Sequence, residues 1–184
     1  MSYEETTNKI VASALDQIER SGDESLSLRQ LAKSVGLTTG AFYKHFENKD
    51  ALFRALTVII STQLADDAKH QLKPNDSPKQ QLLTLADVLL TAYQNRPNTM
   101  MFLFFNPVAL ATLNDKNTAF PLLEETQRLI RDLSEDYPSL DPQQFFVQIW
   151  SFIQGYGVLI KNKAVVYDQQ LTADTLTALL GGVN

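Results

Sequence analysis

Cysteine is absent from the 184 residues. That excludes disulfides, thiolate nucleophiles and zinc–cysteine sites, and it fits a reducing, cytoplasmic setting. Seven glycines and seven prolines are too few for a collagen-like or low-complexity chain. Only two histidines occur, His45 and His70, far apart in sequence. No HExxH, glycine-rich phosphate loop, Ser-His-Asp spacing or EF-hand is present, so no metal, cofactor or catalytic residue is expected. The acidic pairs Asp66-Asp67, Glu124-Glu125 and Glu135-Asp136 are adjacent. Neighbours on a helix point apart, so these read as solvated faces. Long apolar runs are also missing. The longest lies near Met100–Phe105, far short of the ~20 residues that span a bilayer. The start, MSYEETTNKI, carries acids and no apolar segment, so no signal peptide is expected.

What is present suits a globular chain of one domain, or of one small and one medium domain. Hydrophobic residues are 44% and charged residues 20%, enough for a sizeable core. The net charge is −5, but it is unevenly spread. Residues 24–54 hold five Lys/Arg against three Asp/Glu, and residues 55–184 hold nine against thirteen. So modest a basic excess says little about partners by itself.

Apolar spacing is helical nearly throughout. Ile10, Ala14 and Ile18 form one row, closed by Gly22. Ser27-Leu-Arg-Gln30 is a capping-box pattern opening a helix to about Ser34, stopped by Gly36. Thr38 can cap the next short helix, and Asn48 a long one reaching Gln71. Ser77-Pro78, Asn106-Pro107 and Asp141-Pro142 each place a cap residue before a proline at the first helical position. Phe120–Tyr137 is amphipathic, and Asp141–Lys163 and Thr172–Gly181 complete about nine helices. Val165-Val166-Tyr167 is β-prone but too short for a strand. The fold class is all-α: residues 1–47 as a three-helix head, residues 48–184 as a larger bundle.

The informative stretch is Ser27 to Phe46. Two helices of about two turns are joined at Val35-Gly36-Leu37, the architecture of a helix-turn-helix, whose second helix enters the DNA major groove. An ordinary helical hairpin is the plain alternative. Against it, Leu31, Ala32, Leu37 and Phe42 supply a small core at this spacing, and the second helix is unusually short. Its outer positions Thr38, Thr39, Gly40, Tyr43 and Lys44 are small or hydrogen-bonding, as a groove-facing surface needs.

On these residues the sequence resembles the tetracycline-repressor (TetR) family. The carrying segments are Ser27-Leu-Arg-x-Leu-Ala32, Val35-Gly-Leu-Thr38, Gly40-Ala-Phe-Tyr-Lys-His-Phe46 and Asn48-Lys-Asp-Ala-Leu-Phe53, within about Ile10–Leu56. The resemblance implies a homodimer of about nine helices per chain, with an N-terminal DNA-binding head. The remainder would bind an effector and the second subunit.

Tyr43 can donate to a phosphate while its ring packs, or be a core tyrosine. Lys49, in the first turn of the long helix, suits a phosphate or is simply solvated. His45 resembles the family's backbone-contacting histidine, with a purely structural role the alternative. Ser27, Thr38 and Thr39 stand at helix starts and are candidate DNA contacts, the two threonines to a phosphate or a thymine methyl. Gly40 and Ala41 allow close approach. Lys44 and Arg29 are the candidate base readers, since both can donate to guanine O6 and N7. Arg29 can instead hold Glu24 or a phosphate.

The C-terminal part is rich in Met and aromatics, which at helical spacing are core first and ligand site second. As a group they suggest an apolar cavity, with Tyr93, Met101, Phe105, Phe146, Trp150 and Gln154 as candidate effector contacts and Gln148 and Asn106 as further polar markers. Trp150-Ser-Phe-Ile-Gln154-Gly155 resembles a Trp-x-x-x-His-Gly pattern in one subset of the family, with Gln154 in place of the His. Gly155 and Gly157 each cost roughly 1 kcal/mol in a helix relative to Ala; close helix approach, as at a dimer face, or a kink would account for them. Ile153, Tyr156, Leu159, Ile160, Leu176 and Leu179 are the candidate dimer contacts.

The expected function is therefore a dimeric transcriptional regulator of double-stranded, near-palindromic operator DNA. The leading form is a repressor released by a small, mostly apolar effector. A same-fold activator, or a DNA-bound protein partner without an effector, is the alternative, and a helical enzyme acting on a hydrophobic substrate a remote one. No membrane association is expected.

Overall fold

The computed structural model describes residues 2–115 and 117–181 and contains ten α-helices and no strand among them. They are α1 (Tyr3–Ser21), α2 (Leu28–Ser34), α3 (Thr39–Phe42), α4 (Lys49–Gln71), α5 (Pro78–Asn95), α6 (Pro97–Phe105), α7 (Pro107–Leu113), α8 (Pro121–Asp136), α9 (Pro142–Lys161) and α10 (Gln169–Gly181). The chain forms two compact units. Unit 1 comprises Met1–Ile60 and Arg96–Ala119; unit 2 comprises Ser61–Asn95 and Phe120–Asn184. Helix α4 contributes residues to both.

In unit 1, α1 begins with a reciprocal capping box. The Glu5 amide donates to Ser2 Oγ at 3.1 Å, and the Ser2 amide donates to Glu5 Oε2 at 2.7 Å. Ile10, Ala14 and Ile18 are fully buried in one row, the two isoleucines each stabilising the unit by about 1.5–3 kcal/mol. Gly22 ends α1 at φ 76° while its N–H donates to Ile18 O at 2.8 Å, a left-handed backbone that glycine adopts without penalty.

Helix α6 is the addition to the nine helices expected. Pro97 starts it, but Arg96 before it provides no side-chain cap. The cap comes from α1: Glu19 Oε2 accepts from the Thr99 amide at 3.0 Å and from Thr99 Oγ1 at 2.8 Å, and Asn98 Nδ2 donates to Glu19 O at 2.8 Å. A carboxylate at a helix start also meets the positive end of the helix dipole. Asn106 caps α7 through the Val108 and Ala109 amides and donates to Asp23 Oδ2. Both of its polar ends are thus spent on structure rather than on marking a ligand site. Phe102 of α6 sits edge-on to Phe53 of α4, 5.0 Å between centroids.

Unit 2 is built around α5, against which α8, α9 and α10 pack. The apolar row Leu82, Leu85, Ala86, Leu89, Ala92 and Tyr93 is buried. Ser77 and Gln80 form a second reciprocal box before Pro78. Asp141 caps α9 at the Gln143 and Gln144 amides. The open start of α8 is met from α4, where Ser61 Oγ accepts from the Leu122 amide at 3.0 Å. Helix α10 starts three residues earlier than the expected Thr172 because Asp168 caps it, accepting from the Gln170 amide at 2.9 Å. The segment Val165-Val166-Tyr167 is a loop pinned by Tyr156, whose hydroxyl donates to Val166 O and accepts from the Asp168 amide.

The glycine pair in α9 resolves into two situations. A Cβ at Gly157 would lie 2.4 Å from the Tyr93 ring, so this glycine permits a close approach of α5 and α9 within the chain. At Gly155 a Cβ would meet open space.

Candidate nucleic-acid interface and ligand region

The segment from Ser27 to Phe46 forms two helices around Leu31, Ala32 and Phe42, each at most 1% exposed. Ser27 Oγ accepts from the Gln30 amide at 3.5 Å, the forward half of the expected box. Gly36 makes the turn at φ 76°, and the Leu37 amide donates back to Ala32 O at 2.8 Å. Thr38 Oγ1 caps α3 at the Ala41 amide, 3.1 Å. Ser27 and Thr38 therefore act first as caps. Arg29, Thr39, Gly40, Tyr43 and Lys44 are exposed, with Tyr43 at 48%, while Ala41, His45 and Lys49 are half-buried. A Cβ at Gly40 would also meet open space, so nothing within the chain requires glycine there.

Two features hold the far end of this surface. Lys49 Nζ donates to Asp23 O at 3.2 Å and lies 5.1 Å from the Phe53 ring centroid. Asn48 Oδ1 caps α4 at the Ala51 amide, 2.8 Å. The second feature was not anticipated from the sequence: Tyr3 stacks on His45 and donates to Lys44 O at 3.0 Å. Thr7 Oγ1 donates to Tyr3 O at 3.0 Å and lies 2.8 Å from His45 Nδ1. The Ser2-x-x-Glu5 box was the sequence signal that α1 extends back far enough to bring Tyr3 here.

The six candidate effector residues divide between the units. Met101 and Phe105 belong to unit 1, and Phe105 is exposed. Tyr93, Phe146, Trp150 and Gln154 belong to unit 2, where they meet as two pairs, Tyr93 with Gln154 and Phe146 with Trp150. Phe146, Trp150 and Gln154 follow at i, i+4, i+8 on α9, all half-buried, with the two rings stacked at 5.5 Å and 18°. Fully buried Tyr93 donates its hydroxyl to Gln154 Oε1 at 2.5 Å. Burial pushes the Tyr93 phenol well above its ordinary range, so it stays a donor. Gln154 Nε2 is buried and without a hydrogen-bond partner, an arrangement that costs about 1–3 kcal/mol. A separate surface groove of about 360 Å³ beside Phe146 is lined by Gln127, Ile130, Arg131, Pro142 and Gln143. Gln148 is exposed.

Of the candidate dimer residues, Ile153, Tyr156, Ile160 and Leu176 are buried within unit 2, Leu179 is half-buried and Leu159 is 47% exposed. On α9 the exposed residues Val147, Ser151, Gly155 and Leu159 fall at intervals of four and so form one stripe. A charged cluster completes the unit. Arg128 donates to both oxygens of buried Glu125 and to Asp132 Oδ2, with Gln81 and Lys69 nearby. Hydrogen bonding from Arg128 holds the Glu125 carboxyl below the usual glutamate range, against the opposing effect of burial. No helix among the described residues is long and apolar enough to cross a membrane.

An all-helical chain with this head belongs to the helix-turn-helix class. Residues 10–56 match the family described as bacterial regulatory proteins, tetR family. The HTH-type transcriptional regulator AcrR of Shigella flexneri is 28% identical over 109 residues, 56% of this chain and 49% of that protein. The class A tetracycline repressor from transposon 1721 of Escherichia coli is 35% identical over 69 residues, 38% of this chain and 31% of that protein. The matched part thus spans half or less of these relatives. The fold is shared along the whole chain. The fatty acid degradation regulator FadR from Bacillus halodurans matches with a TM-score of 0.75 at 18% identity, covering 100% of this chain and 99% of that one. RolR in complex with resorcinol matches at 0.69 and 16%, covering 98% and 88%. Over residues 10–56 the chain is thus similar to the TetR family of regulators, and along its whole length it shares their fold.

Proposed function

We propose that this chain is a dimeric transcriptional regulator that binds a near-palindromic operator through α2 and α3 and is released from it by a small, mostly apolar effector. The observation that carries the DNA reading is the exposed face of Thr39, Gly40, Tyr43 and Lys44, small or hydrogen-bonding side chains on a helix seated by Leu31, Ala32 and Phe42. Tyr43, His45 and Lys49 serve the phosphates, and Lys44 and Arg29 read bases. One head covers too few base pairs for specificity, and two related by a twofold axis read a palindrome with recognition helices about 34–36 Å apart. The stripe Val147, Ser151, Gly155 and Leu159 is the face offered to the second copy.

The effector reading is supported by the aromatic row of unit 2, and by two proteins of the same fold whose names concern fatty acid degradation and a resorcinol ligand. Helix α4, with Lys49 at one end and Leu64 in the bundle, is the natural coupler. A ligand acts only through its differential affinity for the DNA-binding and released forms. Genomic footprinting with purified protein, repeated in the presence of a ligand shown to bind, tests both halves. Protection of no discrete sites sinks the DNA reading. Protection that no bound ligand alters favours an effector-independent regulator.

A further inference from the structure

One buried polar atom in the aromatic row of unit 2, Gln154 Nε2, has no hydrogen-bond partner. Tyr93 donates to Gln154 Oε1, which fixes the amide with its oxygen toward α5 and its nitrogen away from that bond. Nε2 carries two N–H groups and has no partner, although the atom is buried. Buried donors are retained without a partner only rarely, and such a site is completed by water or by a ligand. The neighbours along α9 decide between ligand classes. Trp150 and Phe146 stack with 18° between their planes and precede Gln154 by four and eight residues, so the row presents flat aromatic surfaces ending at the Gln154 amide. Tyr93, Phe146, Trp150 and Gln154 carry no charge, and the cation of this region, Arg131, lies beside Phe146 at the far end of the row from Gln154, so a neutral acceptor is desolvated at Gln154 at less cost than a carboxylate.

We propose that Gln154 is the specificity-determining contact of the effector site, donating from Nε2 to a neutral acceptor oxygen, such as a ketone or ester carbonyl, on an otherwise apolar and planar ligand. The inference rests on the effector reading above and names the ligand class for it. Tyr93 is then a positioning residue: its bond to Oε1 turns the amide so that the nitrogen faces the ligand. Gly157 belongs to the same device, because only glycine lets the Tyr93 ring approach α9 this closely.

The test uses pairs of probes that share a carbon skeleton and differ in one oxygen: acetophenone against ethylbenzene, and 2-acetylnaphthalene against 2-ethylnaphthalene. Calorimetric titration of the full-length protein is expected to give at least tenfold tighter binding of a ketone than of its arene, because a site built around a hydrogen bond rejects an analogue lacking it. Gln154→Met, similar in size but without donors, is expected to bring that ratio below about threefold. Equal binding of both members of each pair by the wild-type protein overturns the proposal and leaves the effector reading standing; a water then completes the amide. A ratio that survives Gln154→Met also overturns it. Binding of no probe removes the aromatic effector site itself, and with it this assignment. Should Gln154→Met fail to fold, judged by thermal melting and helical circular dichroism, the wild-type ratio alone decides.

Discussion

The ring of Tyr3 lies flat on the imidazole of His45, with 4.3 Å between centroids and 21° between planes. Its hydroxyl reaches the carbonyl of Lys44. The start of the chain thus braces the end of the recognition segment from a distance of about forty residues in sequence. Tyr3→Ala is expected to weaken operator binding by up to about tenfold, in line with an aromatic pair worth ~0.5–1.5 kcal/mol, with little change in melting temperature. Fluorescence anisotropy on a footprinted operator measures it. Wild-type affinity in the variant would show that the brace has no part in DNA binding.

Lys49→Ala is expected to weaken binding on all DNA sequences alike and to reduce the salt slope by about one contact, whereas Lys44→Ala should change which sequence is preferred. Gly40→Ala separates the two effects. The chain has room for the methyl group, so stability should be unchanged or slightly improved while operator binding falls. A Gly40→Ala protein that binds like wild type would mean that the duplex does not approach this position closely.

The two glycines of α9 should respond oppositely to the same substitution. Gly157→Ala drives a methyl group into the Tyr93 ring and is expected to destabilise by about 1–3 kcal/mol, the range for overpacking. Gly155→Ala gains helix propensity and should stabilise the isolated chain by roughly 0.5–1 kcal/mol. If Gly155 lies at the contact with a second copy, the same change shifts the dimer toward monomer. Chemical denaturation and sedimentation read the two effects separately.

Leu159→Arg, or Val147→Asp, is expected to give a folded monomer with greatly weakened operator binding. Both side chains are exposed on one chain, so a charge there costs the monomer little, while burying it unpaired between copies would be prohibitive. Light scattering at micromolar concentration gives the answer. A dimer that persists in both variants would locate the interface elsewhere.

Acid should act on unit 2 through Glu125. Its carboxyl sits below the usual range chiefly because Arg128 donates to it, with the Arg128 and Lys69 charges adding to this. A group whose folded-state pKa is depressed contributes stability above its unfolded value and loses it as pH falls through the folded one. Glu125→Gln should therefore be less stable than wild type at neutral pH, by about 1–3 kcal/mol. The difference should shrink below the ordinary carboxylate range. Urea denaturation at pH 7 and near pH 3 tests the sign, and a gap that widens on acidification would refute this account.

Helix starts were legible wherever a cap residue and a proline stand together, as at Ser77-Pro78, Asn106-Pro107 and Asp141-Pro142, because capping there is local. Helix α6 was not legible as a separate element. Its proline follows Arg96, and its cap is Glu19, eighty residues away. The motif from Ser27 to Phe46 could be read because its core, turn and outer face lie within twenty residues. The ligand region could be read only as a list of aromatics. Which of them meet depends on long-range contacts such as Tyr93 with Gln154 and Gly157. Apolar periodicity marks the face that packs inward, so among the dimer candidates it selected Ile153, Tyr156, Ile160 and Leu176, which are buried within unit 2, together with exposed Leu159. The outward stripe, Val147-Ser151-Gly155-Leu159, is too mixed in polarity to stand out.

The capping of α6 by Glu19, and the hold of Asp23 on Asn106, the cap of α7, bear on how this protein can be cut and recombined. Residues 96–119 fold with residues 1–60, and Glu19 and Asp23 reach across that gap. A chimaera that exchanges heads after residue 47 would leave those two acids facing a foreign α6 and α7, and Phe102 facing a host α4. A graft that carries residues 96–119 along with the head keeps both carboxylates and the aromatic contact satisfied. The transferable module is therefore discontinuous in sequence, and successful head exchange should require two inserts rather than one.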